Sequence, residues 1–161
     1  GIGHIGGHAM QGQAIGLGRG EQLTQITDVP QLNLVLVTSD EGLSTPAVYK
    51  RLDELRAARG EDPTKVNEAA VPAEFISAVQ SGDVSRVAKA IKNDLQEAAL
   101  DLMPELADTI AAGIAAGALA GMVSGSGPTV LALAANAEDA ERIAAACGGI
   151  ATSGPAEGAQ A

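Results

Sequence analysis

The stretch from Gly117 to Ala135, GALAGMVSGSGPTVLALAA, limits what this 161-residue chain can fold into more than any other segment does. Two short apolar runs flank a Ser-Gly-Ser-Gly turn, and a proline follows the turn. This pattern predicts a β-hairpin. Glycines in the turn can take positive φ, and successive backbone N–H groups there can bind an oxyanion or a phosphate. The turn is therefore either only a tight hairpin or an anion-binding loop formed by Ser124, Gly125, Ser126 and Gly127.

Further strands are predicted on both sides of this hairpin. The nearly unbroken apolar run LNLVLVT at 32–38 predicts a central strand, and residues 148–152 predict a short final strand. Near the start, residues 12–26 read as two extended pieces around a Gly-Arg-Gly-Glu turn. The order of these segments predicts one main antiparallel sheet of about four strands.

Apolar residues at helical spacing predict several helices between the strands. One begins at Ser44 or Thr45, has Pro46 in its first turn and runs to Arg59. Asp83 is predicted to cap a long helix, in which Asn93-Asp94 is either a solvated face or a local break. The other predicted helices cover residues 72–80, 103–116 and 137–147, and Asn136 is predicted to cap the last of them.

This order of elements predicts an α+β fold, in which an antiparallel sheet of about four strands carries helices on one face, as in ferredoxin-like domains. A single domain at 12–158 accounts for the pattern. Residues 1–11 have no helical or strand periodicity, so we expect a disordered or non-native N-terminus there. Residues 159–161 are expected to be a frayed tail.

Composition excludes several classes of function. The formal net charge of −10 argues against nucleic-acid or anionic-membrane binding, because phosphate backbones are met by clustered Lys and Arg. No apolar run approaches the roughly 20 residues that span a bilayer. The single Cys147 allows no disulfide framework and suits a reducing cytoplasm. His4 and His8 are separated by glycines that oppose a helical ligand pair, so no metal site is predicted.

Several segments together resemble one enzyme family. Their order and spacing are similar to those of the C-terminal half of 4-diphosphocytidyl-2-C-methyl-D-erythritol kinases, which belong to the GHMP kinase superfamily. The resemblance covers about residues 12–158. The segments are GLGRGEQL (16–23), GLSTPAVYKRL (42–52), NDLQEAAL (93–100) and GALAGMVSGSGPTVLAL (117–133).

The resemblance implies an ATP- and Mg²⁺-dependent phosphorylation of the 2-hydroxyl of a cytidine-diphosphate-linked methylerythritol, on the non-mevalonate route to isoprenoid precursors. It implies a substrate-side lobe whose glycine-rich loop is Ser124, Gly125, Ser126 and Gly127. Thr45 and Tyr49 match positions that close over the cytidine end of the substrate. For Tyr49 the alternative is a ring half-buried beside its helical neighbours, and Thr45 can also serve as a helix N-cap.

Other motifs of the family have no counterpart in this chain. These are the active-site lysine motif, the long glycine-rich loop that surrounds the ATP phosphates, and the general-base aspartate. We therefore assign no catalytic residue and no metal ligand here, and expect no cofactor binding and no kinase turnover without the N-terminal lobe, the expected partner. The alternatives are a stand-alone ferredoxin-like module that binds a small molecule or regulates a partner, and a lobe of another GHMP kinase.

Overall fold

The computed structural model describes residues 13–17, 22–26, 30–61 and 73–154. The expected disordered N-terminus at 1–11 and the frayed tail at 159–161 lie outside the described residues, as do His4 and His8. The elements in chain order are β1 (Gln13–Leu17), β2 (Gln22–Ile26), β3 (Leu32–Val37), α1 (Thr45–Ala58), α2 (Ala73–Ser81), α3 (Val84–Ala90), α4 (Gln96–Leu102), α5 (Glu105–Ala115), β4 (Ala120–Val123), β5 (Val130–Ala134), α6 (Ala137–Cys147) and β6 (Ile150–Gly154).

The main sheet has four strands in the order β4-β5-β3-β6, and every neighbouring pair is antiparallel. The predicted hairpin is confirmed as the pair β4–β5, and the apolar run at 32–38 is confirmed as a central strand between β5 and β6. β1 and β2 pair separately as an antiparallel ribbon. The α+β class with an antiparallel four-stranded sheet is therefore confirmed.

One face of the sheet is covered by α5 and α6. Val35 of β3 lies opposite Ala132 of β5, and both are buried in a cluster with Ile143 of α6. On the same face, a Cβ at Gly121 would be 3.1 Å from Ile110 of α5, so the small residue lets that helix approach β4 closely.

The opposite face also carries helices, which differs from the expectation of helices on one face only. Leu133 follows Ala132 in β5, so its side chain points to the other side of the sheet. There it is buried in a cluster with Val79 of α2 and Val87 of α3, against which Leu34 of β3 is packed. The physical reason lies in β3, since a strand apolar on both faces needs a covering layer on both.

Residues 83–102 form two helices instead of the one long helix predicted. The Asp83 carboxylate caps α3 by accepting from the N–H groups of Ser85 and Arg86 at 2.9 and 3.2 Å, as predicted for an N-cap. The chain leaves the helix at 91–95, and α4 begins at Gln96. Of the two readings of Asn93-Asp94, the structure adopts the local break.

α1 packs against α4 beside the end of the hairpin. Val48 and Leu52 of α1 are buried in one cluster with Ala99 of α4 and with Val123 and Val130, the two residues that flank the hairpin loop. Salt bridges at the surface link the same two helices, with Arg51 to Asp101 at 2.6 Å and Arg59 to Glu97 at 2.9 Å. The beginning of α1 is thereby held next to the glycine-rich turn.

No helix within the described ranges combines the length and the apolar character that crossing a membrane requires.

Candidate functional site

The glycine-rich loop is a tight turn with a fixed backbone. The Ser124 N–H donates to the Thr129 carbonyl at 2.8 Å, and the Gly127 N–H donates to the Ser124 carbonyl at 2.9 Å. Gly125 and Gly127 take φ values of 56° and 79°, which glycine adopts without the strain of an L side chain. Within the described residues, no group accepts from the N–H groups of Gly125 and Ser126. The turn therefore presents two adjacent backbone donors.

The two glycines of positive φ have different surroundings. A Cβ at Gly125 would have no heavy atom within 4 Å, so this part of the loop is open to an approaching group. A Cβ at Gly127 would be 3.0 Å from Val123 Cγ1 and 3.4 Å from Leu43 Cδ2. Gly127 is thus the anchor of the loop against the core, and Gly125 is its accessible tip.

Thr45 meets this loop directly. The hydroxyl oxygens of Thr45 and Ser126 are 2.8 Å apart and share a hydrogen bond, although the residues are 81 positions apart in sequence. Ser44 is the N-cap residue of α1, and neither its side chain nor that of Thr45 bonds to the helix backbone as a cap. The Thr45 hydroxyl is therefore used for contact with the loop. Two sets of predicted site residues, the loop and the substrate-side segment, come together here.

Tyr49 lies one helical turn beyond Thr45 on the same face of α1. Its side chain is 54% exposed, whereas the neighbouring Val48 is fully buried and Leu52 is 6% exposed. Much of the ring is thus open to solvent at the site. An aromatic ring in this position offers a flat apolar surface for stacking.

Arg51, two residues after Tyr49 on α1, is engaged by carboxylates. It donates hydrogen bonds to Asp101 and to Glu54, and these bonds, the one to Asp101 most, raise the pKa of Arg51. Lys50 is 80% exposed and lies 4.0 Å from Glu54. Within the described residues, the open backbone N–H groups of the loop and the positive end of the α1 dipole are donors that this site offers to an anion.

Two residues that the sequence did not indicate as site residues, Asn93 and Gln96, support the loop from the other side. The Asn93 side-chain amide donates to the carbonyl oxygens of Val123 and Gly125 at 2.8 and 2.7 Å. Gln96 Oε1 accepts from the Val123 N–H at 3.1 Å. Both residues lie in the segment NDLQEAAL, one of the four segments that resemble the kinase family. The local sequence of this segment did not, however, indicate that it contacts the hairpin.

No metal cluster is present in the part of the chain that the structure describes, because its His, Cys, Asp and Glu side chains do not come together in groups of three or more.

A family profile described as "GHMP kinases C terminal" matches residues 75–149. Curated relatives include the 4-diphosphocytidyl-2-C-methyl-D-erythritol kinases of Arthrobacter sp., 43% identical over 154 residues, and of Cutibacterium acnes, 41% identical over 156 residues. Each alignment covers 92% of this chain and 48% of the relative. The chain therefore spans about half the length of the curated relatives it matches.

Solved structures of GHMP kinases have the same fold. A crystal structure of 4-(cytidine 5'-diphospho)-2C-methyl-D-erythritol kinase superimposes with a TM-score of 0.63 at 25% identity, covering 84% of this chain and 46% of that one. A crystal structure of L. major mevalonate kinase in complex with R-mevalonate superimposes with a TM-score of 0.62 at 21% identity, covering 78% of this chain and 40% of that one, which is a likeness of fold alone. Residues 75–149 therefore carry the C-terminal domain of GHMP kinases, and the chain as a whole is similar to the C-terminal half of 4-diphosphocytidyl-2-C-methyl-D-erythritol kinases.

Proposed function

We propose that this chain is the C-terminal, substrate-side lobe of an ATP-dependent kinase that phosphorylates the 2-hydroxyl of 4-diphosphocytidyl-2-C-methyl-D-erythritol. The reaction is a step of the non-mevalonate route to isoprenoid precursors, and we place it in the cytoplasm. The proposal is supported by the match of residues 75–149 to the GHMP kinase C-terminal profile, together with relatives of 43% and 41% identity that carry this kinase name.

The observation that carries the proposal is the hydrogen bond between Thr45 and Ser126. It joins the start of α1, where Tyr49 presents a half-open ring, to the glycine-rich loop. In this arrangement Tyr49 stacks on the pyrimidine and Thr45 contacts the same end of the substrate. The accessible N–H groups of Gly125 and Ser126 and the positive end of α1 favour a phosphate between them.

This chain provides only part of the ATP-binding site. The open loop tip at Gly125 is compatible with a phosphate beside the backbone, so the loop supports the nucleotide's phosphate region from the substrate side. For Mg²⁺, the described residues provide no cluster of acidic side chains. We assign the Mg²⁺ ligands, the general base and most of the ATP contacts to the N-terminal lobe, the partner that this lobe needs for turnover.

The rival assignments within the superfamily concern the acceptor alcohol. Fold similarity does not separate them, because mevalonate kinase and homoserine kinase structures superimpose with TM-scores of 0.62 and 0.61. Sequence identity favours the cytidyl acceptor, and so does an aromatic residue at Tyr49.

The test is ADP release by this chain joined to the N-terminal half of the Arthrobacter relative, with three acceptors compared at equal concentration. We expect turnover with the cytidyl substrate, none with mevalonate or homoserine, and none from the 161-residue chain alone. Turnover with another acceptor would identify a different GHMP kinase. A fusion that folds cooperatively and phosphorylates none of the three would contradict the kinase function and favour a stand-alone binding module.

A further inference from the structure

We propose that Asn93 is a positioning residue that holds the glycine-rich loop (124–127) in its functional shape by donating hydrogen bonds to it. The functional part of this inference rests on the proposed kinase role. The contact itself is a property of the chain and is tested without any ligand.

The geometry around Asn93 is specific. Its Nδ2 donates one hydrogen bond to the Val123 carbonyl and one to the Gly125 carbonyl, at 2.8 and 2.7 Å. Its Oδ1 accepts from the Leu95 N–H at 3.1 Å, which fixes the orientation of the amide. Both donors of the side chain are therefore directed at the loop and the strand residue that leads into it.

β4 explains why such a residue is needed there. β4 is an edge strand of the four-stranded sheet, with β5 on one side only. Because the Ser124 N–H donates to Thr129 across the hairpin, the N–H and C=O of the preceding Val123 point away from β5. Gln96 accepts from that N–H, and Asn93 donates to that C=O. Asn93, between α3 and α4, and Gln96, at the start of α4, thus bond the backbone groups of Val123 that a neighbouring strand would otherwise bond.

The bond from Asn93 to the Gly125 carbonyl affects the direction of the next N–H group of the loop. The Gly125 carbonyl is bound by Asn93, while the Gly125 N–H and the space around its α-carbon remain open. Fixing the carbonyl sets the direction of the peptide plane that follows, which carries the Ser126 N–H. Asn93 therefore aims one of the two loop donors, although it lies outside the site and touches none of the reacting atoms.

The chemistry differs between the two supporting amides, and this allows a matched test. Asn93 acts as a donor, so Asn93→Asp replaces two hydrogen bonds by repulsion between a carboxylate and two carbonyl oxygens. Gln96 acts as an acceptor, and Gln96→Glu keeps an acceptor at the same distance. The two substitutions make the same change, amide to carboxylate, in the same segment, but only Asn93→Asp is expected to disturb the loop.

The experiment is solution NMR of the full 161-residue chain labelled with ¹⁵N and ¹³C. In Asn93→Asp we expect the carbonyl ¹³C signals of Val123 and Gly125 to shift upfield. The Ser124 and Gly127 amides should exchange about tenfold faster or more, the change expected on losing hydrogen bonds of this kind. In Gln96→Glu, and for the amides of α6 in every variant, we expect no such change.

Unchanged carbonyl shifts and exchange rates in Asn93→Asp would overturn the proposal, whatever the ADP-release assay shows. Equal effects in Gln96→Glu would overturn it too, since charge alone would then explain the result. If Asn93→Asp fails to fold, Asn93→Ala removes the donor without adding charge, and the same carbonyl shifts and exchange rates are measured.

Discussion

Replacing Gly127 by alanine tests whether the loop is anchored by close packing against the core. At φ of 79° an L side chain is strained, which costs about 1–2 kcal/mol. The new Cβ would also lie 3.0 Å from Val123 Cγ1. Val123 is fully buried, and its backbone is bound on the outer side by Asn93 and Gln96, so it has no free space into which to move. Overpacking of this kind adds about 1–3 kcal/mol.

The matched control is Gly125→Ala. Its φ of 56° carries a similar strain, but its Cβ would have nothing within 4 Å. We therefore expect the free energy of unfolding to fall by about 2–5 kcal/mol in Gly127→Ala and by about 1–2 kcal/mol in Gly125→Ala. Urea unfolding followed by circular dichroism measures both, and with m near 1–3 kcal/mol/M the midpoints should separate clearly. Equal midpoints for the two variants would refute the packing argument.

Three further predictions concern the site and the core. In a double-mutant cycle of Thr45→Val and Ser126→Ala, urea unfolding should give a coupling of about 0.5–1 kcal/mol, and strictly additive effects would deny the hydrogen bond. Leu133→Ala should lower the free energy of unfolding by about 2–5 kcal/mol and Leu131→Ala by less, because Leu133 is 1% exposed while Leu131 is only partly buried. The reverse order of urea midpoints would contradict the helix layer on the second face. The pKa of Arg51 is raised on folding, so the stability that its ion pairs contribute is fully present below its ordinary pKa and is lost only in strong alkali. Arg51→Gln should therefore shift the urea midpoint equally at pH 7 and pH 9, and unequal shifts would contradict this assignment.

Local signals in the sequence sufficed for most elements of the fold. The Asp83 and Asn136 caps are confirmed, with Asn136 Oδ1 accepting from the Asp139 N–H at 2.8 Å. The hairpin and the central strand were predictable for the same reason, since turn chemistry and continuous apolar runs act within a few residues. The second helix layer was not predicted, although the apolar residues of Leu32–Val37 that face it, such as Leu34, pack against it.

The break at Asn93 was only one of two alternatives that the sequence left open. Apolar residues at helical spacing continue from Val84 through Leu102, so the helical pattern runs across the break. In the break, Asn93 makes hydrogen bonds to Val123 and Gly125, which lie 30 and 32 positions further along the chain. A side chain's distant partners do not show in its local sequence, and the contact between Thr45 and Ser126 was hidden for the same reason.

The placement of the substrate site is tested most directly by titrating cytidine diphosphate into the ¹⁵N-labelled chain and following the amide signals. We predict that the signals that move belong to the start of α1, around Thr45 and Tyr49, and to Gly125 and Ser126. Shifts confined to the opposite end of the sheet, around Asn33 and Glu141, or no shifts at millimolar ligand, would contradict the account.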